Sequence, residues 1–325
     1  MPELFSLEER VGYLKDHGAH ILSLSSLQPG MEYFDVPRVG YIAFSTQGTR
    51  DFVLAHPICA NTNLEKLITV FLQEHPRASF VQIDESLARL LRESFGYYTF
   101  RIGVECRVNA ERWTLQGKDK THMRRWLNTA KNAQVTVREL DRDEGLPDVQ
   151  RVSERWLSTR TNPVKLRFLV RDFFTEPRCA QLSRLFGAYK EGQLVGIVEF
   201  DPIFSGKMIT GYYADLVRTA PEAPNGTSVL IIITALEIFR REAICSLSLG
   251  LAPLAQLGPC QKEPPLIRQG LALIYRTCNF AYNFQGSYFH KEKYRSNEVP
   301  VFYATKRANA FPEIIPLFRV IGILS

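Results

Sequence analysis

Asp215 and Arg218 stand three residues apart at the end of an alternating stretch, ITGYYADLVR, and a Pro/Asn/Gly loop leads from them into the run TSVLIIITALEIFRREA. That run opens on Asn225, Gly226, Thr227 and Ser228, so unpaired backbone N–H groups and the positive end of a helix dipole converge there. Farther on, Lys291, Lys293 and Arg295 cluster around His290. The helix start, Arg218 and the cluster Lys291, Lys293 and Arg295 form an anion-binding set, and Asp215 is suited to orient or deprotonate an amine or hydroxyl. Transfer of an activated acyl group needs little more: two substrates aligned for attack and donors facing the developing oxyanion. An ordinary crossover with a well-capped helix carries the same pattern, so this stretch alone leaves both readings open.

Other chemistries lack their signatures. The chain has no G-x-S-x-G, no G-x-x-x-x-G-K-[ST], no H-E-x-x-H and no G-x-G-x-x-G. Its six histidines are dispersed, which gives no support to a histidine-based triad. The six cysteines (Cys59, Cys106, Cys179, Cys245, Cys260 and Cys278) include no close pair of the zinc-binding kind. The expectation is a reducing compartment, no metal and no cofactor.

The elements that must hold these residues alternate along the chain. SLEERVGYLKDHG predicts a helix capped at Ser6 and stopped at Gly18. AHILSLS, RVGYIAFSTQ and RDFVLAH read as strands, NLEKLITVFLQEH as a helix, ASFVQI as a strand, ESLARLLRESFG as a helix and YYTFRIGVEC as a strand. The second half repeats the alternation: LPDVQRVSERWLSTR as a helix, a hairpin across EGQ, the ITGYYADLVR strand, the helix from Thr227, the strand ICSLSLGLAPLA, a helical LIRQGLALIYRTC and a closing VPVFYATKR. This predicts an α/β (α+β layered) protein in two similar units, 1–140 and 141–325, the second carrying the transfer site.

Composition narrows the partners. Hydrophobic residues at 45% and charged residues at 23% describe a globular chain, and 40 basic against 34 acidic residues give a net charge of +6, which suits an anionic partner. The basic residues are densest in GKDKTHMRRWLNTAKNAQ, where Lys118, Lys120, Arg124, Arg125 and Lys131 share a helix with Met123, Trp126 and Leu127. A solvated face over an apolar one and a guide for a polyanion both fit. The longest apolar run, VLIIITALEIF, is too short to span a bilayer. The acidic MPELFSLEER start lacks the features of a signal peptide. A cytoplasmic location is expected, with any membrane contact peripheral.

Four segments in order, ADLVR, APNGT, LSLGLAPLA and YNFQGSYFHKEKY, resemble the C-terminal catalytic region of the phosphatidylglycerol lysyltransferase (multiple peptide resistance factor) family. Its corresponding motifs are D-L-M-R, a-P-x-G-t, L-G-M-A-P-L, and Y-N-F-Q-G-L followed by F-K-x-K-F. GKDKTHMRRWLNTAKNAQVTV is similar to the family's G-K-k-x-x-x-L-R-r-x-x-n-r-A stretch, and the likeness runs intermittently from about Phe95 to Lys306. The resemblance implies two tandem GNAT-like acyltransferase domains and transfer of an aminoacyl group from aminoacyl-tRNA to a lipid or another small hydroxyl or amine acceptor. It assigns catalysis to Asp215 and Arg218. Substrate and phosphate binding fall to Asn225, Gly226, Thr227, Gly250, Ala252, Pro253, Lys291 and Lys293, and tRNA binding to Lys118, Lys120, Arg124, Arg125 and Lys131.

The chain also departs from the family pattern. Val229 stands where an aspartate is common, Glu298 replaces a tryptophan, and Lys165 takes the place of a glutamate ahead of a phenylalanine. The loss of acidic positions makes lysine a less natural payload and leaves another amino acid or a non-lipid acceptor open. The departures also fit a relative that binds tRNA or anionic lipid without catalysis. The basic surface equally suits an acyltransferase drawing on another thioester donor such as an acyl carrier protein.

Overall fold

The computed structural model describes residues 5–159, 168–169, 171–173, 176–259, 268–271 and 284–322, with the backbone alone at 142–146 and 284–285. Its helices are α1 (Leu7–His17), α2 (Leu64–Glu74), α3 (Glu85–Phe95), α4 (Thr121–Asn132), α5 (Arg142–Ser158), the one-turn α6 (Pro177–Ala180), α7 (Thr227–Arg241), α8 (Phe284–Glu292) and α9 (Phe311–Ile321). Its strands are β1 (Glu32–Val36), β2 (Gly40–Gln47), β3 (Arg50–Leu54), β4 (Ile58–Cys59), β5 (Ser79–Ile83), β6 (Tyr98–Asn109), β7 (Thr136–Leu140), β8 (Arg184–Lys190), β9 (Gln193–Ser205), β10 (Met208–Thr219), β11 (Ser246–Pro253) and β12 (Asn297–Thr305).

Local chemistry sets the helix ends. Ser6 and Glu9 form a capping box at α1, Asp84 accepts from Leu87 N–H at the start of α3, and Gly96 closes α3 in the left-handed region. AHILSLS, expected as a strand, is instead a turn followed by a 3-10 segment at Leu24–Leu27. There Ser23 and Ser26 turn their hydroxyls to nearby backbone groups, which offers the chain an alternative to a ladder. LIRQGLALIYRTC is helical at 268–271 and otherwise lies outside the described residues.

All strands join one mixed sheet in the order β1-β2-β3-β5-β12-β6-β11-β10-β9-β8-β7, with β4 beside β2. The order shows how the two halves interlock. β6 follows β5 in sequence but pairs with β11, and β12 follows β11 but lies between β5 and β6. The first half thus places β6 and β7 among the strands of the second, the second places β12 among those of the first, and the sheet runs unbroken past residue 140.

One face of the second half packs α4 and α7 around Phe186, Phe200, Tyr212, Phe239 and Leu247. On the first half a matching core holds α2 and α3 against Phe44, Phe80 and Phe302. The opposite face carries a core built by Phe100, Tyr213, Tyr303, Phe168 and the C-terminal helix α9. α9 is pinned by the buried Glu313, which accepts from Arg50 (2.6 Å), Ser79 (2.8 Å), Thr305 (2.9 Å) and the Tyr303 hydroxyl.

Candidate active site

β10 and β11 run parallel for three residue pairs, from Gly211↔Ser246 to Tyr213↔Ser248. Beyond that point β10 continues along β9 to Thr219, while β11 continues along β6 to Pro253. The two strands splay into a fork. A bulge marks each arm: the register slips between Ala214 and Leu216 on β10, leaving Asp215 as the extra residue, and between Ser248 and Leu251 on β11. Gly250 takes φ +77 at the second bulge, and a Cβ there would lie 2.6 Å from the Tyr213 ring. Only glycine fits that position.

Asp215 points into a buried charge network that the sequence did not announce. Arg171 is fully buried and reaches three carboxylates: Asp201 by two contacts, one of 3.2 Å from Nε, Glu199 at 3.0 Å, and Asp215 at 3.5 Å. Ser183 donates to Glu199 at 2.7 Å. Three acids around one base leave surplus negative charge in a dry site. Burial is the main cause that lifts the Asp215 carboxyl up to about 7; Asp201 adds to the rise, while Arg171 and Arg218 oppose it. Arg218 donates to Asp172 at 3.3 Å, with its guanidinium over Trp156 and Phe173 at 5.5 and 5.3 Å; burial lowers its pKa.

The network continues as a polar row across the sheet. Asp201, Tyr213, Ser248, Arg107 and Asn297 are successive register partners on β9, β10, β11, β6 and β12, so they share one face. Glu105, two residues from Arg107, holds its guanidinium by two bonds of 3.1 and 3.0 Å.

On the other arm of the fork, Lys291 Nζ donates to Leu251 O at 2.5 Å, the carbonyl edge that β10 leaves unpaired. Burial pushes its pKa down to about 8, with Cys106 and Glu105 opposing. Asp215, Arg218, Gly250, Ala252, Pro253 and Lys291 are therefore brought together at one fork. Lys293 is not. It points to α4, where its Nζ sits 3.4 Å over Trp126, and it also lies 3.7 Å over Phe289 of α8.

The α7 start also has a packing role. Gly226 has φ +92, and a Cβ there would strike the Trp126 carbonyl oxygen at 2.1 Å, so α4 rests directly on this glycine. Asn225 is exposed, and Thr227 turns its hydroxyl back to Pro224 O at 2.6 Å.

The five basic residues ahead of and along α4 divide. Lys120 is buried, bonds Tyr294 O and lies 4.8 Å from the Trp113 ring; burial, then Arg295, bring its pKa down to about 8. Arg124 caps Leu115 O and Gly117 O at 2.7 Å each. These two hold the fold. Lys118, Arg125 and Lys131 face solvent.

Val229 lies in the apolar core beside α4, and Glu298 accepts from the Tyr288 hydroxyl at 2.8 Å. Lys165 lies outside the described residues. No sequence motif singles out Arg171, Glu199 and Asp201, although one signal is present: two acids spaced by two in the apolar strand GIVEFDPI place two carboxylates on one buried face. Among the described residues no helix is long and apolar enough to cross a membrane, and no cluster of three or more His, Cys, Asp or Glu suits a metal ion.

Comparison with known proteins gives the family and the fold. The chain is 25% identical over 296 residues to the phosphatidylglycerol lysyltransferase of Bacillus subtilis, covering 89% of this chain and 34% of that protein. It is 22% identical over 298 residues to the enzyme of the same name from Staphylococcus epidermidis, covering 89% and 34%. The chain thus spans about a third of the length of these curated relatives. Among solved structures, that of L-PGS from Bacillus licheniformis superposes with a TM-score of 0.81 at 23% identity, covering 98% of this chain and 97% of the other. The C-terminal domain of a putative lysylphosphatidylglycerol synthetase from Agrobacterium fabrum gives 0.79 at 20% identity, covering 98% of each. Both confirm the fold. The family model described as "Phosphatidylglycerol lysyltransferase, C-terminal" matches residues 12–305, and the chain belongs to that family.

Proposed function

We propose that this chain catalyses transfer of an aminoacyl group from aminoacyl-tRNA to a hydroxyl acceptor, with phosphatidylglycerol the acceptor that the relatives' name carries. The observation that carries the reading is the placement of Asp215: a buried carboxyl with a raised pKa, extruded by a bulge into the fork between two parallel strands. The free backbone edges of that fork suit an extended acyl group. The acceptor hydroxyl attacks the ester carbonyl, Asp215 takes its proton, the bond to the ribose oxygen breaks and the proton passes to that oxygen. A carboxylate with a pKa near neutrality is matched to that task.

The surplus negative charge of Glu199, Asp201 and Asp215 around Arg171 suits the ammonium of an amino acid. A lysyl group, as in the relatives' name, fits such a site. Arg218 and Lys291 flank the fork as cations for phosphate. Lys118, Arg125 and Lys131 form the exposed basic face that steers tRNA, and α9 offers exposed Phe311 and Ile315 for contact with a lipid surface.

The test is a transfer assay: purified chain, a pool of radiolabelled aminoacyl-tRNAs and a total lipid extract, with the organic phase counted. Label that enters the lipid phase only from intact aminoacyl-tRNA supports the reading and names the amino acid. Label lost from tRNA but absent from lipid moves the acceptor to a water-soluble compound. Label that stays on tRNA refutes the reading.

A further inference from the structure

The fork occurs twice. β3 and β5 run parallel for three pairs, Phe52↔Ser79 to Leu54↔Val81, as β10 and β11 do. In each lobe the second strand bulges directly after the third pair, at Leu249–Gly250 in β11 and at Gln82 in β5, where the register with β12 steps from Tyr303↔Val81 to Phe302↔Ile83. Gln82 adopts φ +57, unusual for a side chain with a Cβ. Phe80 and Ile83 pack into the α2/α3 core, whereas Val81 packs on the opposite face, with Tyr213 and Phe100. The bulged Gln82 shares the side of Val81, the face of the polar row. It is 6% exposed, and among the described residues its carboxamide has no hydrogen-bond partner.

Two imidazoles stand beside this strand end. His56 Nε2 lies 3.3 Å from Asp84 Oδ1 and 3.3 Å from the Asp84 N–H, two residues past Gln82. The His20 ring stacks on His56 with centroids 4.9 Å apart and planes 19° apart. His20 Nδ1 accepts the Leu22 N–H at 3.1 Å, which places its own proton on Nε2 as a donor. Burial and the neighbouring His56 keep that ring neutral.

We infer that this first-lobe fork is a nucleobase subsite. It takes an uncharged planar heterocycle that extends the imidazole stack and is read along its edge by the Gln82 carboxamide. Stacking on aromatic and histidine rings is how unpaired bases are held, and a carboxamide complements the adjoining donor and acceptor of adenine. Charge argues against an anionic headgroup here. The charged side chains that act on His20 are Asp84, tied to His56, and Arg107, tied twice to Glu105.

The identity of the base rests on the aminoacyl-tRNA reading. β5 and β11 are three strand spacings apart, about 14 Å on one face, so one 3′-terminal RNA segment ending in adenosine can reach both forks.

The experiment uses the full chain with 15N-labelled histidines, titrated separately with adenosine, cytidine and glycerol 1-phosphate. Adenosine is expected to move the His20 and His56 ring signals saturably, cytidine to bind at least about tenfold more weakly, and Gln82→Leu to weaken adenosine about tenfold with a native spectrum. Silence toward adenosine in the wild-type chain overturns the inference, whatever Gln82→Leu does to folding. So does equal binding of cytidine. Movement by glycerol 1-phosphate in place of adenosine also overturns it and hands the niche to the acceptor. Active transfer with adenosine silent sinks the subsite alone. Adenosine binding without any transfer sinks the aminoacyl-tRNA reading and leaves the subsite standing.

Discussion

At the scale of single residues, the proposed chemistry rests on Asp215 and Arg171 together. If Asp215 takes the acceptor proton, transfer rises with pH to a plateau with its midpoint at about 7, and Asp215→Asn lowers kcat/KM by about 100-fold or more and removes that limb. The same carboxyl shapes stability. It binds its proton more tightly folded than unfolded, where carboxylates titrate near about 3.9. The native state therefore keeps an extra proton between about pH 4 and 7, and stability is lost as pH rises through that window. Asp215→Asn should raise the melting temperature at pH 8 more than at pH 4, which paired thermal melts will show. Arg171→Met strands three buried carboxylates and should cost about 3–5 kcal/mol in denaturant unfolding. Asp215 and Arg218 are legible in the sequence because they sit in a motif with a strand before it and a helix after it. Arg171 is not, because it lies in an irregular segment and its partners lie 28 to 44 residues downstream on two strands, and only the fold brings them within bonding distance.

At the scale of elements, close approach explains the glycines and burial sorts the lysines. Gly250→Ala adds a Cβ against the Tyr213 ring at φ +77 and should cost about 1–3 kcal/mol while closing the fork, seen as lost transfer ahead of lost fold. The basic patch splits in the same physical way. Charge-to-alanine changes at Lys118, Arg125 and Lys131 should flatten the salt dependence of tRNA binding and leave the melting temperature unchanged. Changes at Lys120 and Arg124 should lower the melting temperature, because those side chains cap backbone carbonyls. An unaltered salt slope in the triple variant would remove this face from tRNA binding. The helices and most strands can be read from periodicity and caps, as at Ser6 and Gly96. Periodicity shows that Lys120 shares a basic stretch with Lys118, but it does not show that one is buried under Tyr294 while the other faces water.

At the scale of the molecule, the exchange of β6 and β12 binds the halves into one sheet. A chain cut after residue 140 leaves β6 without β11 and β12, so neither fragment should give a cooperative melt alone, and the intact chain should unfold in a single transition. The repeat of strand and helix is visible in the sequence as alternation. The exchange is not, because it depends on which non-neighbouring strands pair across the sheet. Both forks face the same side, with the acid network at one and the histidine niche at the other. The most direct test follows single-turnover transfer from radiolabelled lysyl-tRNA to phosphatidylglycerol vesicles, for wild type and Asp215→Asn across pH 5 to 9. If Asp215 is the proton acceptor, wild-type label enters the lipid with a rate that climbs with a midpoint at about pH 7 to a plateau above it, and the variant is slower by about 100-fold with a flat profile. Equal rates for the two proteins, or label that never leaves the tRNA, would contradict it.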